Sequence, residues 1–301
     1  MKKIGSYLIE YLLSVDKRVL SLCTFFTALA IYINYYHGLS NQIYALTPLN
    51  QYLAWLLVFL STFAFGYATV FVLHKNKYQI TTSFLVLLLL APVIFSWKMM
   101  FNVELNLVAN PEGNAFWNRI VYWPLKLSVI TISLWMIWRN NRTESFYGLS
   151  TRGFSFKPYL LMLLIMAPLV AAASTQTDFL ATYPKLKHIA FLNEGILSWW
   201  QVLLFELSYG SDFFTIELFF RGFLVLAFVR WFGKDAILPM AMFYCTIHFG
   251  KPLGECISSF LGGIILGVVT YHTRSILGGL MVHLGIAWMM ELGGYLGNLW
   301  R

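Results

Sequence analysis

Charge is scarce in this sequence. Asp, Glu, Lys and Arg make up 11% of the 301 residues, where a soluble domain carries about 25%. Hydrophobic residues make up 59%, and the mean hydropathy is +0.67. That balance excludes an ordinary water-soluble globule and implies an integral membrane protein. Cysteine is also rare: Cys23, Cys245 and Cys256 are the only three, all in apolar runs. None has C-x-x-C or zinc-finger spacing, so no disulfide framework or zinc ribbon is implied, and the three read as small buried hydrophobes. The zinc-protease signature H-E-x-x-H is missing, as are internal repeats, heptads and low-complexity tracts. A signal peptide is not expected either. In MKKIGSYLIEYLLSVDKRVLSL, Glu10 and Asp16 interrupt any apolar region. The run after Lys17 and Arg18 continues past the ALA triplet at 28–30 through Ile33, which reads as a retained first span.

What is present is a series of long apolar runs. About 20 such residues cross a bilayer as a helix, and a helix satisfies its own backbone polar groups where lipid cannot. The runs predict spans at 19–37, 51–73, 83–102, 120–138, 158–175, 195–209, 212–232, 236–250, 256–273 and 276–298. The sixth and eighth are short. The expected fold is all-α, a polytopic transmembrane helical bundle of about 8–10 helices. The net charge is +8, but Lys and Arg lie mostly at span ends, which points to lipid headgroups rather than nucleic acid. Lys2, Lys3, Lys17 and Arg18 precede the first span. Lys75 and Lys77 lie in the second loop, and Arg139, Arg142, Arg152 and Lys157 in the fourth, while the first and third loops carry almost none. This alternation places the N-terminus in the cytoplasm through the fifth span. The expected location is a bacterial plasma membrane, crossed several times. Lys98 and Lys126 lie near enough to span ends to snorkel.

A polar segment, WRNNRTESFYGLSTRGFSFKP at 138–158, suggests a division near residue 150. Residues 1–150 are expected to hold N-terminal spans of unassigned role. Residues 151–301 are expected to hold a functional core, because every candidate reactive group lies there. Glu217 and Arg221 sit in TIELFFRGFL, His248 in FYCTIHFG and His283 in LMVHLGIAW. Each ionisable group at mid-span costs at least about 2.5–3.5 kcal/mol and is seldom there without a role. Glu217 and Arg221, four apart, fall on one helix face. They are either a bundle-stapling ion pair or a carboxylate oriented for work on substrate. His248 and His283 can hold water, take a proton or donate to an oxyanion. Either is equally an ordinary core histidine. Glu255, seven residues past His248, is a further candidate, and Glu291 is expected at a span end in water or headgroups. Gly263-x-x-x-Gly267 and Gly293-x-x-x-Gly297 are small-residue helix contacts.

These residues carry a resemblance. The stretch from about 212 to 290 resembles the CAAX prenyl protease and bacteriocin-processing (CPBP, or Abi) family of intramembrane proteases. The family motifs are E-E-x-x-x-R, commonly followed by Gly, then F-x-x-x-H, then H-x-x-x-N after a Gly-rich helix and a turn. Here they read I-E-L-F-F-R-G at 216–222, Y-C-T-I-H at 244–248 and H-L-G-I-A at 283–287. The resemblance implies an intramembrane endopeptidase acting on a membrane-associated protein or peptide. Glu217 and His248 would activate water, Arg221 would support the carboxylate, and His283 would donate to the oxyanion. It favours a metal-free mechanism with no cofactor, although Glu217, His248 and His283 could also bind zinc. Three positions depart from the pattern: Ile216 replaces the first glutamate, Tyr244 the phenylalanine and Ala287 the asparagine. Three outcomes stay open. Glu217 works alone, Glu255 supplies the missing carboxylate, or hydrolysis is lost and the chain binds a membrane partner. A proton-coupled transporter using the same groups is a further alternative.

Overall fold

The computed structural model describes residues 2–75, 77–102, 104–140, 145–152, 154–188 and 197–300. Among them all regular structure is helical. In chain order the helices are α1 (Lys2–Ser14), α2 (Lys17–His37), α3 (Leu39–Tyr44), α4 (Pro48–Leu73), α5 (Thr82–Met100), α6 (Pro111–Asn140), α7 (Lys157–Ala173) and α8 (Thr177–Thr182). After them come α9 (Trp199–Glu217), a π-helix (Leu218–Ala227), α10 (Val229–Phe232), α11 (Ile237–Thr246), α12 (Leu253–Thr273) and α13 (Leu277–Leu299). Short 3₁₀ turns occupy Lys185–His188 and Gly233–Ala236. Six described helices are long and apolar enough to cross a membrane: α2, α4, α5, α6, α12 and α13. The chain is therefore an integral, polytopic helical membrane protein. The break expected between spans at 210–211 does not exist, because Gly210 lies inside α9. The start of the expected 195–209 span and part of the polar 138–158 segment fall outside the described residues.

The helices form two compact units. The first holds residues 1–100, 134–153 and 218–276. Its centre is aromatic. Phe59, Phe63 and Tyr67 recur every four residues along one face of α4. They meet Phe243 of α11 at 4.9 Å from Phe59, and Phe228 at 5.5 Å from both Phe63 and Tyr67. Lipid tails are as apolar as these rings, so contact rather than water exclusion holds such helices together, and each aromatic pair adds about 0.5–1.5 kcal/mol. The α12 glycines act the same way. A Cβ on Gly263 would lie 3.2 Å from Ala241 Cβ, and one on Gly267 2.8 Å from Met240 Cε. This G-x-x-x-G is thus the seam against α11.

Polar caps close this unit at a helix end. Asp16 caps α2 by accepting from Arg18 N at 2.8 Å, and it also accepts from His74 Nε2 at 3.0 Å. Asp235 accepts from Lys77 Nζ at 3.3 Å and from the Tyr78 hydroxyl. Lys98, expected to snorkel, is instead enclosed, with its ammonium 5.4 Å from the Phe95 ring centre.

The second unit holds residues 101–133, 154–217 and 277–301. Here α13 is the central helix, and its glycines set the packing distances. A Cβ on Gly285 would lie 2.6 Å from Leu163 Cδ2 of α7, and one on Gly297 2.6 Å from the Ser174 carbonyl. The N-terminal part of α6 packs Phe116 and Ile120 against Phe205 and Tyr209 of α9, and the Ser208 hydroxyl donates to the Ile120 carbonyl. Lys126 does not snorkel either. It is buried with its ammonium 3.8 Å from the Tyr122 ring centre, where the ring face stabilises the cation.

Candidate functional site

Within the second unit, α9 presents Glu206, Gly210, Phe213 and Glu217 at spacings of four, three and four, so they share one helix face. The facing residues of α13 follow a strict four-residue step: Gly279, His283, Ala287 and Glu291. The helices run antiparallel. Gly210 approaches Leu284, where a Cβ would lie 3.2 Å from Leu284 Cδ1. The Phe213 ring meets the His283 ring edge-on at 4.9 Å. At the far end of this register His283 Nδ1–H donates to Glu217 Oε1 at 2.9 Å. The carboxylate side chain is 0% exposed and the imidazole 15%. Gly279 makes room for this pair, since a Cβ there would lie 2.5 Å from Glu217 Oε2. A charge enclosed among apolar helices is tolerated only with a partner, and His283 is that partner for Glu217.

The other end of the same seam is also acidic. Glu291 is not in water or headgroups as expected. It is 5% exposed, and both its oxygens accept from Lys185 N, at 2.9 and 2.8 Å. The turn entering Lys185–His188 brings that backbone N–H to the carboxylate, which offsets the cost of burying it. Glu206 lies within electrostatic reach of Glu291. Sequence reasoning passed over Glu206, although its eleven-residue offset from Glu217 places both on one helix face.

The first unit carries the remaining candidates. Arg221 and Gly222 stand in the π-helix, in which every residue from Leu218 to Ala227 is buried. Such wider winding is rare and frequently occurs at functional sites. Here the packing that accompanies it is visible. The Phe219 ring meets Phe95 at a tilt and the Phe220 ring meets it edge-on, each at 5.0 Å, and a Cβ on Gly222 would lie 2.7 Å from the Tyr147 carbonyl oxygen. The Arg221 guanidinium sits 4.0 Å over the Tyr244 ring. That ring in turn meets the His248 ring at 4.8 Å, and His248 Nδ1–H donates to the Tyr244 carbonyl at 3.0 Å. The tyrosine that departs from the family pattern is thus a cation platform, a role the motif did not indicate. Glu255, in the first turn of α12, is 16% exposed and pairs with Lys251 at 3.2 Å. The structure therefore brings Glu217 and His283 together in one unit, and Arg221, Tyr244 and His248 together in the other. Ile216 and Ala287, at the other two departed positions, are buried. Among the described residues, no three His, Cys, Asp or Glu side chains are arranged to hold a metal ion.

Residues 198–289 match the family model described as Rce1-like, type II CAAX prenyl endopeptidase Rce1-like. The matched segment contains Glu217, Arg221, His248, Glu255 and His283, and it bears out the resemblance to the CAAX protease family of membrane endopeptidases. No curated protein and no solved structure matches the chain.

Proposed function

We propose that this chain, with its Rce1-like CAAX endopeptidase segment at 198–289, is an intramembrane peptidase that hydrolyses a peptide bond of a membrane-associated protein or peptide. The observation that carries the proposal is the Glu217–His283 hydrogen bond of 2.9 Å, with the carboxylate fully enclosed and the imidazole partly exposed. Glu217 is sealed from solvent, so it acts through His283 as a positioning residue. With Nδ1–H given to Glu217, the Nε2 lone pair of His283 is directed away to accept a proton from water. The water oxygen attacks the scissile carbonyl carbon, and the carbonyl oxygen takes the negative charge. The imidazolium formed lies against the Glu217 carboxylate, which stabilises it. It then returns the proton to the leaving amine as the C–N bond breaks. This is the carboxylate–imidazole logic of hydrolytic triads, with water in place of the side-chain nucleophile.

Arg221 and His248 enter the proposal on their motif positions. The family pattern gives Arg221 support of the carboxylate and His248 a hold on water. Ala287 offers no side-chain donor to the oxyanion, and losing one such donor costs about 10²–10³ in rate, which slows hydrolysis without abolishing it. The proposed location is a bacterial plasma membrane with the N-terminus in the cytoplasm.

The test is cleavage of membrane-tethered peptides by the full chain in proteoliposomes. The expected result is turnover that falls by about 10²–10⁴ in both Glu217→Gln and His283→Ala. Unchanged turnover in both variants ends the proposal. A wild-type chain that binds a membrane peptide tightly but never cleaves one favours a silent binding relative.

A further inference from the structure

Cys245 and Cys256 lie on α11 and α12, three residues before His248 and one after Glu255. Both are reduced and fully buried. Their sulfurs stand 3.9 Å apart. Each thiol also leans on the other residue's carbonyl oxygen, Cys245 Sγ on Cys256 O at 3.4 Å and Cys256 Sγ on Cys245 O at 3.8 Å. A disulfide requires about 2.05 Å, so the sulfurs are about 2 Å from bonding distance and already face one another.

The helices around them are not free to close evenly. At Gly263 and Gly267 α12 is in van der Waals contact with α11. The end of the pair without such a glycine contact is the connection from Ile247 to Pro252. That connection turns at Gly250, with φ of 87°, and its Lys251 carbonyl accepts from the Tyr35 hydroxyl at 2.6 Å. His248 lies within it, and Glu255 follows on the first turn of α12.

We infer that Cys245 and Cys256 form a redox-responsive pair that an oxidant of the peroxide class closes into a disulfide, locking the segment that carries His248 and Glu255. One thiol attacks a peroxide oxygen, breaking the O–O bond, and becomes a sulfenic acid with release of one water. The second thiol attacks that sulfur, displaces a second water, and the S–S bond forms. Two thiols are oxidised by two electrons, and hydrogen peroxide is reduced to two waters. Because both thiols are fully buried, the oxidant must be small and uncharged to reach them, and burial makes the first oxidation slow. The effect on turnover rests on the proposed peptidase reading. Misplacement of a reacting group by ~1 Å costs about 10²-fold.

The experiment treats the full chain in proteoliposomes with hydrogen peroxide, then with dithiothreitol. After denaturation, thiol labelling is expected to fall from three cysteines to Cys23 alone. The intact mass should drop by about 2 Da, and a linked Cys245–Cys256 peptide should appear. Amide exchange over 246–256 should slow, and all of these changes should reverse on reduction. Cys245→Ser should show none of them while keeping its reduced-state turnover. Where peptide cleavage is present, oxidation should lower it about 10²-fold in wild type only. Three labelable thiols after peroxide overturn the inference. So do sulfinic acid in place of the disulfide, and a disulfide that leaves exchange over 246–256 unchanged. A wild-type chain with no cleavage refutes the peptidase reading instead, and the labelling and exchange measurements still decide the cysteine pair.

Discussion

His283 holds Glu217 by an Nδ1–H to Oε1 hydrogen bond of 2.9 Å across the α9–α13 seam. In the proposed mechanism the two residues act as one unit. Enclosing the carboxylate without a hydrogen-bonding partner is expensive, and the imidazole without the carboxylate loses its orientation. Groups that act as a unit are non-additive when removed. Glu217→Gln and His283→Ala should therefore each lower kcat by about 10²–10⁴, and the double variant should be little worse than either single one. Steady-state turnover of a membrane-tethered peptide measures this. Two effects that multiply in full would show that the residues work separately.

Gly279 should matter for turnover more than for folding. A Cβ there would lie 2.5 Å from Glu217 Oε2, so Gly279→Ala pushes the carboxylate from its place against α13. Alanine is otherwise favoured in a helix over glycine by about 1 kcal/mol. Gly262→Ala is the control, because nothing lies within 4 Å of its added Cβ. Turnover should drop in Gly279→Ala and persist in Gly262→Ala, with both proteins still folded by circular dichroism. Full activity in Gly279→Ala would show that the carboxylate position is not critical.

Gly222 should matter for stability. Its missing side chain admits the Tyr147 backbone, with the carbonyl oxygen 2.7 Å from a hypothetical Cβ. Tyr147 is itself fully buried against Phe223, and the adjacent Gly148 carbonyl accepts from Ile276 N at 3.0 Å. Backbone gives way less easily than a flexible side chain. Gly222→Ala should destabilise the chain by about 1–3 kcal/mol, the usual range for overpacking. Thermal unfolding in detergent would register this as a lower midpoint, and an unchanged midpoint would mean that the clasp relaxes freely.

Asp16 gives a pH-dependent stability outside the spans. The hydrogen bond from the Arg18 side chain, aided by the Arg18 backbone N–H and by His74, holds its carboxyl well below the usual range against a partial desolvation that opposes it. A folded-state value depressed in this way stabilises the fold at pH above the ordinary carboxylate value, about 3.9. That contribution disappears as pH falls towards the folded value. Asp16→Ala should cost about 1 kcal/mol near neutrality, as loss of a helix cap does. The gap between variant and wild type should narrow on acidification below ~4. Melting curves across that range test it, and a gap constant with pH would mean that the carboxylate charge is irrelevant to the cap.

Much of the fold is legible from residue order because lipid permits few choices. Runs of apolar residues must become helices, and the helices at 17–37, 48–73, 82–100, 253–273 and 277–299 coincide with the expected spans to within a few residues. The misreadings have local causes. The residues between the runs at 195–209 and 212–232 look like a break, yet α9 passes through Gly210, whose missing side chain serves packing instead, since a Cβ there would lie 3.2 Å from Leu284 Cδ1. Glu291 looks like a span end, but the turn at Lys185 supplies a backbone donor that no sequence pattern announces. Lys98 and Lys126 look able to snorkel, yet aromatic faces hold them inside.

Composition and spacing alone determined that this chain crosses a membrane as helices and that the candidate reactive groups Glu217, Arg221, His248 and His283 lie in its C-terminal half, because hydrocarbon penalises every unsatisfied polar group in the same way whatever the neighbours are. Which of those groups meet was decided only by the tertiary structure. Contact between Glu217 and His283, or between Cys245 and Cys256, depends on where small residues let two helices touch. That is a property of helix pairs, and no single helix carries it in its own sequence.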